Sequence, residues 1–302
     1  MIDRHVCVCI ASHRRPEGLM RLLRSLVDQN SPPPFEVIVV DNDHERSAEQ
    51  VVCQFRDRIS IEYLVEPIRG IARARNRAVA LAKSPFLAFI DDDEVASAKW
   101  LAAMDRTAIA SRADVVIGPV SVVFEGTLPD FVRTCSLFQS ILPAEGAIVP
   151  WYATRASNAY VRRQSLPDLL APFSTRFDLM GGEDVDLFKR MCDAGARIVA
   201  SQEGTVCEYR PRKRANLRWI MRRALRNGGT IAAVGWERVG TAQHAFRTLR
   251  SGLTGVGEAA EAIVRWDGDR ELATHHLIRA CEEMGKVLYT VGLKIEEYRN
   301  HP

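Results

Sequence analysis

Phe86-Leu87-Ala88-Phe89-Ile90-Asp91-Asp92-Asp93-Glu94 is the stretch on which the fold turns. An apolar run of this length, closed abruptly by four carboxylates, reads as a buried strand whose end leaves the core. Carboxylates at a strand end can hold a hard cation, because magnesium and manganese take oxygen ligands and keep part of their shell for water and phosphate. The same triplet also makes an ordinary solvated acidic turn, so its neighbours must decide between the two.

Upstream, the strand-like runs Val6–Ile10, Val37–Val40 and Ile61–Val65 alternate with helical patterns over Pro16–Asp28 and Ile71–Lys83. Strand and helix in this order predict an α/β domain, a mostly parallel sheet with helices on its faces. Ligands of such sheets sit beyond the carboxyl ends of the strands. Three of those ends carry polar residues: Ser12-His13-Arg14, Asp41-Asn42-Asp43 and Asp91 to Glu94. Downstream, Val115–Val123 reads as one further strand and Thr127–Pro150 as loops. Gly181-Gly182-Glu183-Asp184 then opens a helix whose Leu187, Phe188 and Met191 form an apolar stripe, with Gly195 as its C-terminal cap.

The Glu183-Asp184 pair is the second carboxylate constellation. An aspartate there can deprotonate a hydroxyl within hydrogen-bond reach; acidic residues in a first helical turn also simply suit the macrodipole. Asp41 and Asp43 offer acceptors to a base and ribose, or serve as turn residues. Arg73 and Arg77, with Asn76 between them, share a helix face that either approaches a diphosphate or stays solvated.

The 302 residues are 47% hydrophobic and 26% charged, which fits one large globular domain with an appendage. Basic and acidic side chains number 41 and 38, a balance that argues against nucleic acid as a partner. Seven cysteines without a CxxC pair suggest neither a disulfide framework nor a zinc site, and hence a reducing compartment. Met1 to His5 lacks the apolar stretch of a secretory signal, and no segment approaches the roughly 20 apolar residues of a spanning helix. Membrane association is therefore expected to be peripheral.

From Tyr209 to Trp236 there is no acidic residue, while Arg210, Arg212, Lys213, Arg214, Arg218, Arg222, Arg223 and Arg226 are cationic. Leu217, Ile220, Met221, Ala224 and Leu225 recur at helical spacing, which predicts a basic amphipathic helix. Contact with anionic lipid, binding of a polyprenyl-diphosphate acceptor and a plain solvated face are all compatible with it. Trp219 and Trp236 suit a lipid interface or a packed core equally. The remainder reads as helical, with no role assigned to 237–287.

Taken together and in order, Val6-Cys7-Val8-Cys9-Ile10-Ala11-Ser12-His13-Arg14-Arg15-Pro16, Val37-Ile38-Val39-Val40-Asp41-Asn42-Asp43, Gly70-Ile71-Ala72-Arg73-Ala74-Arg75-Asn76, Phe89-Ile90-Asp91-Asp92-Asp93-Glu94 and Gly181-Gly182-Glu183-Asp184-Val185-Asp186-Leu187 resemble the family 2 glycosyltransferases. The C-terminal part is similar to the bacterial subgroup that builds exopolysaccharides of succinoglycan type. The resemblance implies a GT-A, Rossmann-like fold over 1–208, with a nucleotide-binding half at about 1–115 and an acceptor half at about 116–208, followed by a basic, mainly helical region at 209–302. It implies a nucleoside-diphosphate sugar as donor, with UDP the expected nucleotide, and a divalent cation, manganese or magnesium, at Asp91 and Asp93. Donor-site residues carried over are Ala11, Ser12, Arg14, Asp41, Asp43, Arg73, Asn76, Asp91 and Asp92; Arg155, or Arg162 and Arg163, are further candidates for the phosphates or the acceptor. Asp184, with Glu183 beside it, inherits the role of base. Two departures stand out: Ala11-Ser12-His13 replaces the Pro-Thr-Tyr-Asn of many members, and Cys207-Glu208-Tyr209 stands where a histidine ligand is often found, which makes Glu208 the candidate there.

The reading is thus an inverting hexosyltransferase that acts on a hydroxyl of a lipid-linked glycan, in the cytoplasm, with attachment to the inner face of the plasma membrane; it specifies no oligomeric state. A nucleotidyltransferase would show a glycine-rich phosphate loop near the N-terminus, and Ser12–Gly18 is not one. The alternative outside catalysis is a nucleotide-sugar-binding scaffold, against which the two carboxylate clusters argue and for which donor binding without hydrolysis or transfer would speak.

Overall fold

Strands that face packed helices on both sides read as near-continuous apolar runs, and Val6–Ala11, Val37–Val40 and Phe86–Ile90 are such runs. The computed structural model describes residues 6–293 and 295, apart from 125, 127, 134, 179, 237 and 238. In chain order its elements are β1 (Val6–Ser12), α1 (Pro16–Val27), β2 (Phe35–Asp41), α2 (Glu49–Cys53), β3 (Ile61–Val65), α3 (Ile71–Leu81), β4 (Phe86–Ile90), β5 (Glu94–Ala96), α4 (Trp100–Ala110), β6 (Val115–Ile117), β7 (Val120–Phe124), α5 (Asp130–Arg133), β8 (Asn158–Arg162), α6 (Glu183–Asp193), β9 (Ile198–Ala200), β10 (Val206–Arg210), α7 (Leu217–Gly235), α8 (Thr241–Arg265) and α9 (Arg270–Thr290). The chain divides into two compact units: residues 1–123, 141–178 and 183–209 form the first, and 124–140, 179–182 and 210–302 the second.

The main sheet has the order β3-β2-β1-β4-β8-β6-β9. Pairings among β1 to β4 are parallel, as is β6 with β9, and β8 is antiparallel to both its neighbours. Successive side chains of a strand face opposite ways, and here each set enters a core of its own. Val6, Val8, Ile10, Phe86 and Ile90 pack with Leu19, Leu22 and Leu26 of α1 and Trp100 of α4. Cys7, Cys9, Leu87 and Phe89 pack with Ala78 and Val79 of α3 and Leu187, Phe188 and Met191 of α6. The paired cysteines are thus small apolar residues of the core, and all seven thiols are free.

The single strand expected over Val115–Val123 is two strands, β6 and β7, which belong to different sheets. The break falls at Gly118-Pro119. Proline has no N–H to give to a ladder, and its carbonyl accepts instead from the Asn158 side-chain amide, which also donates to the carbonyl of Gly204. β7 joins β10 and β5 in a small sheet of order β5-β10-β7.

In the second unit, the basic stretch is helical only from Leu217, after a turn over Arg212–Arg214, and Asn216 caps it by accepting from Trp219 N. Trp219 stacks on Phe138 with ring centroids 5.8 Å apart, and the guanidinium groups of Arg210, Arg214 and Arg223 gather over its ring. Arg210 and Arg226 are buried. α9 packs against both α7 and α8. Its crossing with α7 is made by glycine: a Cβ at Gly228 would collide with the Glu282 carbonyl, and one at Gly285 with the carbonyl of Leu225.

Gly18, in the first turn of α1, sits with the same intimacy against the carbonyl oxygen of Asp92. Alanine is the better helix former by about 1 kcal/mol, but its methyl would have to displace the acidic loop, an overpacking that costs about 1–3 kcal/mol. Gly18→Ala is therefore expected to lower the urea midpoint at unchanged slope; a raised midpoint would show that the loop yields freely.

Candidate active site

The register of the main sheet brings the polar strand ends to one edge: Ser12 pairs with Asp41, Asp41 with Val65, and Ile90 with Asn158. Arg75, on the buried face of α3, is the hub. Its Nη2 donates to Asp91 Oδ1 at 2.8 Å and its Nη1 to Glu183 Oε1, so one guanidinium joins the end of β4 to the start of α6. Burial works to lower the Arg75 pKa, but the Asp91, Glu183 and Asp184 charges outweigh it and hold the group above its ordinary value. α3 is set in place by its neighbours. Asp178 accepts from Ala72 N and Arg73 Nε, and Asn76 exchanges two hydrogen bonds of 2.8 Å with the backbone of Phe173.

A second arginine, Arg15, spans the acidic loop: its Nη1 donates to Asp92 Oδ1 at 2.9 Å and to Asp93 Oδ2 at 2.8 Å. Asp92 is buried and accepts through its other oxygen from Ser12 Oγ and His13 N, which ties the end of β1 to the loop. Burial, then the Glu208, Asp92 and Asp91 charges, push Asp93 up to about 7 against the pull of Arg15. Glu94, held well above the carboxylate range by burial and by Asp91 and Glu208, has one buried oxygen without a hydrogen-bond partner. It pairs with Glu208 across the β5–β10 ladder.

Glu183 is buried, and burial followed by the Asp184 charge raises it to about 7, with Arg75 opposing. Asp184 is half-buried, held by Ala156 N at 3.1 Å and by its own helix at Val185 N. Of the two, Asp184 is the carboxylate that a ligand can reach.

The residues expected at the nucleotide end form a separate group. Asp41 is fully buried and accepts from Ala48 N, Tyr63 Oη and Asp43 N. Asp43, held low by the Glu45 N–H and Arg14 against its burial, binds Arg14 Nε at 3.2 Å. Asn42 reaches to the carbonyls of Glu66 and Ile68 and to Gly70 N, and so closes the loop that leads into α3. Ala11 lies half-buried beside Ser12 at the end of β1. Arg73 and Arg77 leave the helix toward Asp178 and Glu66 rather than toward the carboxylates. Arg162 and Arg163 are not brought to this edge: β8 runs antiparallel, so Arg162 pairs with Phe86 and Arg163 N donates to Pro85, at the opposite end of β4. Sequence reasoning passed over Arg15 and Arg75. Arg75 had one available signal, its place among Ala72, Asn76 and Val79 on the apolar side of the α3 pattern.

The family model described as Glycosyl transferase family 2 matches residues 7–172. The chain belongs to glycosyl transferase family 2. Succinoglycan biosynthesis protein ExoM of Rhizobium meliloti (strain 1021) is 34% identical over 97% of this chain and 96% of its own. Glycosyltransferase AglE of Haloferax volcanii is 27% identical over 67% of this chain and 66% of its own. Among solved structures, residues 1–349 of S. aureus TarS in complex with UDP superpose with a TM-score of 0.57 at 17% identity, covering 95% of this chain and 92% of that one. That likeness shows the fold, GT-A.

The acidic loop suits the divalent cation that this family implies. Its donors are carboxylate oxygens alone, the chemistry of a hard cation, their charges crowd one another, and Glu94 keeps a buried oxygen unpaired. Among the described residues no three His, Cys, Asp or Glu side chains cluster as a metal cage. Magnesium or manganese held by one or two carboxylates, water and phosphate needs none.

Because Asp93 is raised to about 7, protons compete with a cation for it. The thermal stabilisation by manganese is expected to be small near about pH 6 and to grow towards about pH 8. Asp93→Asn should abolish that dependence, and a manganese shift that is flat with pH would remove Asp93 as a ligand.

Proposed function

We propose that this family 2 glycosyltransferase is an inverting hexosyltransferase, which moves a sugar from a nucleoside-diphosphate donor, UDP-linked, to a hydroxyl of a lipid-linked glycan. The observation that carries the reading is the tie that Arg75 makes between the strand-end carboxylate Asp91 and Glu183, next to which stands the more accessible carboxylate Asp184. A displacement needs a proton acceptor on one side of the reacting carbon and charge relief on the other, at a fixed separation. Arg75 fixes the start of α6 relative to Asp91 through Glu183.

In the step proposed, Asp184 takes the proton of the acceptor hydroxyl as its oxygen bonds to the anomeric carbon. The bond from that carbon to the diphosphate oxygen breaks with its electron pair on the diphosphate, so the anomeric configuration inverts. Glu183 stays with Arg75 and orients the start of α6. Asp91 and Asp93 are the residues that would hold the cation, which when bound neutralises charge on the leaving diphosphate. Ser12, Asp41, Asp43 and Arg14 form the nucleotide end, with Ala11, Asp92, Arg73 and Asn76 shaping it. A role in exopolysaccharide synthesis is supported by likeness to ExoM over nearly the whole of both chains; the place proposed for it is the cytoplasmic face of a membrane. UDP is supported by the TarS complex.

The test is a screen of UDP-, GDP- and dTDP-sugars with manganese, read by thermal shift and nucleoside-diphosphate release. One nucleotide class is expected to stabilise the protein. Asp184→Asn should keep that shift and lose about 10²–10⁴-fold in transfer; ordinary turnover in the variant would remove Asp184 as the base.

A further inference from the structure

α8 carries its large apolar side chains on the side turned away from its packing partner. Against α9 it presents small residues, Ser251, Gly255 and Ala262, all buried. On the opposite side Phe246, Leu249, Leu253, Val256, Ile263 and Val264 are each between 65 and 81% exposed. Alanines and glycines flank them, so at the α-helical repeat the uncharged sector is roughly 160° wide.

A sector of that width exceeds the narrow seam through which two helices pair, and equals what a helix shows to a core or to lipid. Its charge chooses between them. No acidic residue occurs from 239 to 257, where His244, Arg247 and Arg250 lie. The two acids of α8 are neutralised within the unit: Glu258 pairs with His276 and Arg279, and Glu261 with Arg265. The charged flank of the face carries exposed Arg250 beside the Glu261–Arg265 pair and is net positive, so two copies gain no charge complementarity, and the face offers far fewer than the roughly 20–30 residues a side of a standard protein interface. Anionic headgroups complement it, with arginine stems lying along the apolar face.

We infer that α8 is the membrane-contact element of this protein, lying in the interfacial plane of an anionic bilayer with Phe246, Leu249, Leu253, Val256, Ile263 and Val264 in the acyl boundary. The inference rests on the peripheral membrane location within the proposed function, and moves the contact from the basic stretch 210–226, whose Trp219 is enclosed by Phe138 and arginines, to a segment that composition left without a role.

The test is flotation of the full chain with vesicles of phosphatidylcholine, alone or mixed with phosphatidylglycerol. Binding is expected to the mixed vesicles only. Leu249→Ser with Leu253→Ser, both at exposed positions, should lower the partition coefficient at least about tenfold, and Arg250→Gln about fivefold. Circular dichroism and UDP-sugar thermal shift without vesicles report the fold and the donor site separately, so loss of donor binding with flotation intact would sink the proposed function and leave this inference standing. Absence of flotation in the native chain, or unaltered flotation of the double variant, overturns the inference. So does a double variant that passes from dimer to monomer in light scattering with its lipid partition unchanged, which assigns the face to a second copy.

Discussion

A buried guanidinium is an expensive object unless every neighbour is arranged to receive it, and Arg75 imposes that arrangement on the first unit. Removal of one partner of a buried ion pair costs about 3–5 kcal/mol, which applies to Glu183, buried with Arg75; Asp91 is partly exposed. The Phe173 ring lies 5.7 Å from the guanidinium, and the loop that carries it is fastened to α3 through Asn76. β4, α3 and α6 thus meet at one cation, and the two carboxylate clusters cannot move independently.

The acidic loop follows the same logic with a different cation. Arg15 faces Asp92 and Asp93 from the start of α1, which comes close enough only because position 18 has no side chain. Unlike Arg75, Arg15 is substantially exposed, so it can exchange one carboxylate for another partner at lower cost. The rigid pairing at Arg75 and the looser one at Arg15 divide the edge of the sheet into a fixed part and an adjustable part.

Much of this was legible before any coordinates. The β4 run and its carboxylates, the alternation of strands and helices, and the acidic start of α6 are local patterns that sequence periodicity records directly. What escaped depends on direction in three dimensions. Arg73 and Arg77 are conspicuous on paper, yet the cation that α3 brings to the carboxylates is Arg75, because the apolar side of α3 sets which way each side chain leaves. Arg162 and Arg163 lie near the site in sequence terms and at the wrong end of the sheet in space, since nothing local announces that β8 is reversed. Gly118-Pro119 interrupts an apolar run whose two sides read alike, so the pattern alone does not say that β6 and β7 belong to different sheets. In the second unit the basic composition of 210–226 drew attention to α7, while the exposed apolar face belongs to α8, where small residues against α9 turn the usual inside-out pattern around.

The glycine crossing of α7 and α9 bears on how the protein comes into being. α7 and α8 both pack on α9, which is made last of the three. As the chain leaves the ribosome from its N-terminus, α7 and α8 exist for a time with their glycine-lined and small-residue faces uncovered, and only the arrival of residues 270–290 supplies the backbone that fits against them. Assembly of the second unit is thereby deferred to the end of translation of these helices, and until then the nascent chain carries the apolar side chains of α8 beside surfaces that await their partner.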